Sequence, residues 1–128
     1  MAKYLLDTTA IIDHLKGKKE ATSFLEKLGE QGEIVGCCCI NITETYAGMR
    51  EDERDKTDQF IQSLYYFEIT PEIAKLAGEF KNQYTRKGIT LSVSDVIIAA
   101  ITLTNDLILV TSNPKHYPMP KIQIYEFE

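Results

Sequence analysis

Short apolar runs alternate along the chain with longer segments whose apolar residues recur at helical spacing. The apolar or alternating runs predict strands at 4–6, 34–40, 66–69, 107–111 and 122–127. The amphipathic segments predict helices over 9–16, 19–28, 41–49, 56–65, 71–87 and 96–103. Strands separated by helices imply right-handed crossovers and a mainly parallel sheet that is covered on both faces. The pattern therefore predicts one α/β domain over residues 1–128.

Several polar residues mark the ends of these elements. Thr70-Pro71 is a strong helix opening, with Thr70 as the N-cap and Pro71 at the first helical position. Asn41 is expected to open the helix after the second strand. Gly29 and Gly32 are expected to end the second helix, and the last strand is expected to lie at a sheet edge.

The composition indicates an ordinary globular protein, 44% hydrophobic and 26% charged. The formal net charge of −5 argues against a generally basic surface that coats nucleic acid, so any contact with a polyanion must be local. Cys37, Cys38 and Cys39 alternate sides in an extended segment, which predicts small core residues rather than a zinc site. Free thiols, no signal peptide and no apolar run long enough for a bilayer predict a cytoplasmic protein without a membrane partner.

Three acidic residues are predicted to meet at one edge of the sheet. Asp7 ends the first strand, Glu44 lies in the first turn of the helix after the second strand, and Asp95 lies in the first turn of the apolar helix before the fourth. Strand carboxyl ends and helix N-termini share an edge in such folds, and ligands bind there. Clustered carboxylates repel each other unless a cation lies between them. Oxygen donors without His or Cys favour Mg²⁺ or Mn²⁺.

Helix capping is the alternative explanation for each acid. Asp7 before Thr8-Thr9, Asn41-x-x-Glu44 and Ser92-x-x-Asp95 all resemble capping arrangements. Capping alone does not require that all three acids occur at one edge. The sequence therefore favours a shared cation site.

The residues around these acids also resemble a known family. Four motifs, in order and spanning nearly the whole chain, are similar to those of PIN-domain ribonucleases, especially the VapC toxins of toxin–antitoxin pairs: Tyr4-Leu5-Leu6-Asp7-Thr8-Thr9, Asn41-Ile42-Thr43-Glu44, Ser94-Asp95-Val96-Ile97-Ile98-Ala99-Ala100 and Val110-Thr111-Ser112-Asn113-Pro114-Lys115-His116-Tyr117. The resemblance implies a three-layer α/β/α fold and a homodimeric, Mg²⁺- or Mn²⁺-dependent endoribonuclease. It also implies an RNA substrate and a cognate antitoxin.

The family's first three acids carry over to Asp7, Glu44 and Asp95 as metal ligands and catalytic residues. Members often have further acids where this chain has Asn113 and His116, so the resemblance leaves open whether one or two metals bind. Asn113 is expected to ligate through its carbonyl oxygen or to hold a water.

Hydroxyl groups beside the acids are expected to orient substrate or water. The proposed chemistry is hydrolysis of a phosphodiester bond by a metal-activated water. Thr111, Ser112 and Thr9 would then hydrogen-bond the phosphate or a metal-bound water.

Other polar residues are given lesser roles. Asp13 and His14 are expected to lie on the surface, and Asp106 at the opposite edge. His116 either contacts RNA or packs beside Tyr117.

Two other functions compete with the nuclease. A phosphoryl-accepting receiver domain needs an adjacent acidic pair after the first strand and a phosphorylatable Asp after the third, and this chain has neither. A catalytically weak or inactive PIN-like module that binds RNA or protein fits the missing fourth acid.

Overall fold

Five parallel strands form the centre of the protein, in the spatial order β3-β2-β1-β4-β5. The computed structural model describes residues 2–126. The strands are β1 (Lys3–Leu6), β2 (Ile34–Cys37), β3 (Tyr65–Tyr66), β4 (Ile108–Thr111) and β5 (Gln123–Glu126). The predicted parallel sheet is confirmed, and β5 lies at its edge as expected. Phe127, predicted to end that strand, lies outside the described residues.

Helices cover both faces of the sheet, which confirms the three-layer α/β/α arrangement. They are α1 (Thr8–Leu15), α2 (Lys19–Glu30), α3 (Cys39–Gly48), α4 (Arg54–Gln62), α5 (Pro71–Arg86) and α6 (Val93–Thr104), with short 3-10 helices at Glu51–Glu53 and Pro114–His116. Within residues 2–126, no helix combines the length and apolar character that a membrane span requires.

Alternating strand residues divide the core into two layers. Leu5 of β1 and Leu109 of β4 pack with α5 and α6, whereas Leu6 and Val110 pack with α1. These four side chains are completely buried, and the register pairs Leu5 with Leu109 and Leu6 with Val110. Burying apolar side chains on both faces of a central strand is what the unbroken apolar runs predict. The same strands end side by side at the carboxyl edge of the sheet.

The junction between β2 and α3 differs from the prediction. The strand ends at Cys37 rather than Ile40, and the helix begins at Cys39 rather than Asn41. Cys38 is the N-cap residue, and its amide donates to Asn41 Oδ1 at 2.9 Å. Asn41 thus closes the first turn from inside the helix instead of opening it. The cysteines are free, and Cys37 and Cys38 face opposite core layers as predicted.

Three further boundaries test the local signals. The Thr70 cap is confirmed, since its Oγ1 accepts from the Ile73 amide at 3.2 Å. The second helix continues through Gly29 and ends before Gly32, whose φ is +69°. The third strand is shorter and earlier than predicted, because only Tyr65 and Tyr66 pair with β2.

Gly36 in β2 is expected to be intolerant of a side chain. A Cβ there would lie 2.6 Å from the Tyr65 carbonyl oxygen and would overlap the Phe67 ring, so Gly36→Ala forces β3 away from β2. We expect the free energy of unfolding to fall by about 1–3 kcal/mol in urea denaturation. Gly78→Ala is the matched control, since that helical glycine has open space around it and the change should stabilise by up to about 1 kcal/mol. Equal effects at both positions would contradict the close approach of β3.

Candidate active site at the carboxyl edge of the sheet

Asp7 is the most heavily hydrogen-bonded side chain at this edge. Its Oδ1 accepts from the Thr9 amide at 2.7 Å, the Thr9 hydroxyl at 2.5 Å and the Ala10 amide at 3.3 Å, so it caps α1. Its Oδ2 accepts from Thr111 Oγ1 at 2.6 Å and from the Tyr117 hydroxyl at 3.0 Å. The residue is 3% exposed. Asp7 therefore caps α1 with one oxygen and binds the end of β4 and the loop beyond it with the other.

The hydroxyls of Thr9 and Thr111 orient Asp7. Each donates to one carboxylate oxygen, while Thr9 Oγ1 accepts from the Ser112 amide at 3.2 Å and Thr111 Oγ1 accepts from the Asn113 amide at 2.9 Å. Thr111 is fully buried. The hydroxyl protons of both threonines are thus used within the protein, and the direct contacts with substrate or water expected of Thr9, Thr111 and Ser112 stay predictions.

Glu44 lies in the second turn of α3, one turn later than predicted. Its exposed carboxylate accepts from Thr8 Oγ1 at 2.5 Å, and Thr8 Oγ1 in turn accepts from Asn41 Nδ2 at 3.3 Å. Asn41 is completely buried. The capping role considered for Glu44 is wrong, because Asn41 makes that contact. The chain of hydrogen bonds instead ties Glu44 to the residue that follows Asp7.

Asp95 lies in the first turn of α6, as predicted. Its amide donates to Ser92 Oγ at 3.0 Å, so the predicted N-cap exists. Asp95 Oδ2 lies 3.5 Å from His116 Nδ1. His116 also lies beside Tyr117, with ring centroids 6.4 Å apart, and its contact with RNA stays a prediction.

The environment of Asp95 disfavours its ionised form. Burial raises the pKa of the Asp95 carboxyl above its ordinary value, and the negative charges of Asp7 and Glu44 raise it further. Ser92 and His116 oppose this shift. Like charges raise a carboxyl pKa in this way only when they are near.

Tyr117 is the site residue that sequence reasoning missed. It is 3% exposed, follows the short 3-10 helix, and donates its hydroxyl to Asp7. Burial first, and then the charges of Asp7 and Asp95, raise the pKa of this phenol, so it remains a neutral donor. An irregular loop has no periodicity, and the only available signal was the place of Tyr117 at the end of the fourth motif.

The oxygen ligands of the three acids are the kind that bind a hard divalent cation, although these side chains are not arranged around a single cation position. Asp7, Glu44 and Asp95 supply carboxylate oxygens, and their mutual repulsion is the kind that a cation relieves. Across residues 2–126, no three His, Cys, Asp or Glu side chains are gathered closely enough to hold a metal ion. Asn113 is partly buried next to this group and contributes an amide where an acid would add charge.

The remaining polar residues lie away from the site. Asp13 is partly buried rather than exposed, and it forms an ion pair with Lys18 at 3.3 Å. Asp106 is exposed beside Lys3 at the opposite edge, as predicted. His14 is not a simple surface residue, since it is half-buried and its ring centroid lies 4.3 Å from that of Phe60. Burial lowers its pKa, which keeps it neutral in a packing role.

Comparison with known proteins agrees with this architecture. Residues 4–122 match the family described as PIN domain. Ribonuclease VapC19 of Mycobacterium tuberculosis is 32% identical over 120 residues, which cover 93% of this chain and 96% of that protein. The structure of VapBC2 from Rickettsia felis, bound to a DNA fragment from their promoter, has a TM-score of 0.84 at 20% identity and 98% coverage of both chains. A toxin-antitoxin complex from Klebsiella pneumoniae has a TM-score of 0.80 at 23% identity, with 98% and 100% coverage.

The raised pKa of Asp95 predicts a pH-dependent effect of Asp95→Asn in metal-free buffer. Because the folded-state pKa lies above the unfolded value, ionised Asp95 destabilises the native chain, and that penalty disappears as the pH falls toward about 4. We therefore expect the melting temperature of the variant, relative to the native chain, to be higher at pH 7 than at pH 4.5. Thermal unfolding in EDTA measures this difference. A difference that does not change with pH would contradict the raised pKa of the Asp95 carboxyl, and with it the cost of burying its charge.

Proposed function

The chain belongs to the VapC group of the PIN-domain family, and on this premise we propose that it is a metal-dependent endoribonuclease that hydrolyses RNA phosphodiester bonds. The name of the 32% identical relative, a ribonuclease, supports the class of reaction. The match spans the whole region that contains Asp7, Glu44 and Asp95.

One observation carries the proposal: Asp7, Glu44 and Asp95 come from three separate elements and are linked at the carboxyl edge of the sheet. Glu44 accepts a hydrogen bond from Thr8, which follows Asp7, and Asp95 lies beside His116, whose neighbour Tyr117 donates to Asp7. Helix capping accounts only for the hydrogen bonds of the Asp7 side chain at the start of α1 and for the bond from the Asp95 amide to Ser92. It explains neither the hydrogen bond that Glu44 accepts from Thr8 nor the burial of Asp95 against like charges. A shared cation site explains both observations.

We propose Mg²⁺ or Mn²⁺ as the cofactor, held by Asp7, Glu44 and Asp95. When bound, such a cation stabilises the charge that develops on the phosphate and activates water for attack. The chain itself has a net charge of −5, and its acidic edge would repel RNA without a compensating positive charge.

The side chains divide the work around the substrate. Asp7 is fixed by its donors and therefore gives the site a rigid reference point. Glu44 is exposed and held by one hydroxyl, which suits a group that orients the attacking water. The Asn113 amide and the Ser112 hydroxyl lie at the rim, where they bind phosphate or water.

We further propose that the protein is the toxin of a toxin–antitoxin pair and acts as a homodimer. Structural neighbours are described as VapBC and toxin-antitoxin complexes, which supports an antitoxin partner. An arm of that partner carrying arginine would match the negative charge of the three acids, because guanidinium binds carboxylate through two parallel hydrogen bonds.

A binding module without efficient catalysis is the second candidate. Two features favour it: Asn113 stands where many family members have an acid, and the three acids are not drawn together into a chelating group in the described part of the chain.

Cleavage of RNA by the purified chain distinguishes the two candidates. We expect Mg²⁺ or Mn²⁺ to support cleavage, EDTA to stop it, and Asp95→Asn to lower the rate at least about 100-fold with its fold intact. Gel analysis of a panel of structured RNAs measures the rate, circular dichroism checks the fold, and sequencing of the cut ends identifies the target site. Asp106→Asn is the control, since it makes the same change in an exposed acid at the far edge.

Native cleavage that persists in Asp95→Asn, or no cleavage of any RNA in the panel, would favour the binding module. A rate lowered equally by Asp106→Asn would indicate a general charge effect instead of a site at the three acids.

The toxin role predicts a small DNA-binding protein encoded beside this gene. Co-expressed with the chain, that protein should form a stable complex and abolish RNA cleavage, because it covers the acidic edge. Light scattering of the free chain and the complex reports both assembly and the proposed homodimer. RNA cleavage at full rate within a stable complex would contradict the proposed blocking contact.

A further inference from the structure

Tyr117 connects the loop after β4 to the first acid of the site. Its ring belongs to the core layer formed with α5 and α6, and its amide donates to the Pro114 carbonyl at 3.0 Å, which closes the short 3-10 helix. Its hydroxyl reaches Asp7, 110 residues away in sequence. A buried phenol needs such a partner, because an unpaired hydroxyl in the core destabilises the folded state.

The contact determines how the Asp7 carboxylate is turned. Oδ1 is held by the amides at the start of α1, but an Asp side chain rotates broadly about its last torsion. Thr111 and Tyr117 approach Oδ2 together and remove that freedom. Five donors from three parts of the chain therefore hold the two carboxylate oxygens in one orientation.

His116, the residue before Tyr117, approaches Asp95, a second acid of the site. His116 lies beside Asp95 while Tyr117 binds Asp7, so two consecutive residues contact two acids of the site. The loop after β4 thereby sets the relation between Asp7 and Asp95. Phenylalanine would fill the same core space, and the hydroxyl is the only part of Tyr117 that this contact uses.

We propose that Tyr117 is a positioning residue of the acidic site, whose hydroxyl acts with Thr111 to hold the Asp7 carboxylate in the orientation that binds the cation. The inference rests on the proposed function for its catalytic consequence. The orientation of Asp7 itself is a property of the folded chain without metal.

The test compares Tyr117→Phe with Tyr84→Phe in the full chain. Tyr84 is a buried tyrosine of the same core layer and provides the same loss of a hydroxyl away from the acids. We expect Tyr117→Phe to weaken Mn²⁺ binding 10–100-fold in calorimetry and to lower kcat for RNA cleavage by a similar factor. KM for RNA should change less than twofold, and Tyr84→Phe should leave all three quantities unchanged.

A metal-free measurement separates this inference from the proposed function. In EDTA, Tyr117→Phe should lower the denaturation midpoint of the native chain, and the loss should shrink in an Asp7→Asn background, because the partner charge is already gone. A native chain that neither binds Mn²⁺ nor cleaves RNA would refute the proposed function, while this double-mutant cycle would still decide the Tyr117–Asp7 contact.

Three results would overturn the inference. Unchanged Mn²⁺ affinity in Tyr117→Phe would show that the ring only fills space. Tighter Mn²⁺ binding would show that the phenol competes with the cation. Losses that are equal with and without Asp7→Asn would show that the hydroxyl does not act through Asp7.

Discussion

The burial of one carboxylate, that of Asp7, is the constraint on which the rest of the structure depends. A buried charge is stable only when every oxygen is paired, and the donors come from the start of α1, the end of β4 and the loop beyond it. Satisfying Asp7 therefore fixes how these three parts of the chain meet. The Asp7 amide strengthens the same junction by donating to the Val110 carbonyl at 3.0 Å. Asp7 is therefore both a candidate functional group and the residue that holds these parts of the chain together.

Local signals were sufficient for most of the fold. Apolar runs identified the strands because a sheet buried on both faces needs side chains such as Leu5 and Leu6 to be apolar in succession. Thr70 was recognised because an N-cap acts on an amide three residues away. The β2–α3 junction was misplaced because Cys38, Cys39 and Ile40 continue the apolar run of the strand, whereas the cap is made backwards from Asn41. Neither the apolar character of these residues nor their spacing indicates that the backbone turns at Cys38.

The candidate site was predictable as a set of acids and less so as a set of contacts. Topology placed Asp7, Glu44 and Asp95 at one edge, since parallel strands share their carboxyl ends. The contacts of Tyr117 with Asp7 and of Asn41 with Thr8 join residues 110 and 33 positions apart. Such pairings arise from tertiary packing, which a single sequence does not encode in any local period. These contacts also change the role of Thr9 and Thr111, because their hydroxyls donate to Asp7.

The central place of β1 has a consequence for how the protein is made. β1 is synthesised about 100 residues before β4, yet the two strands pair, and Asp7 depends on residues at positions 111 and 117. Contacts of such long sequence separation form late, because the intervening chain must close first. A nascent or prematurely terminated chain consequently has no assembled acid cluster. The cluster of acids, and any chemistry that depends on it, therefore becomes available only after the loop that contains residue 117 has joined the fold.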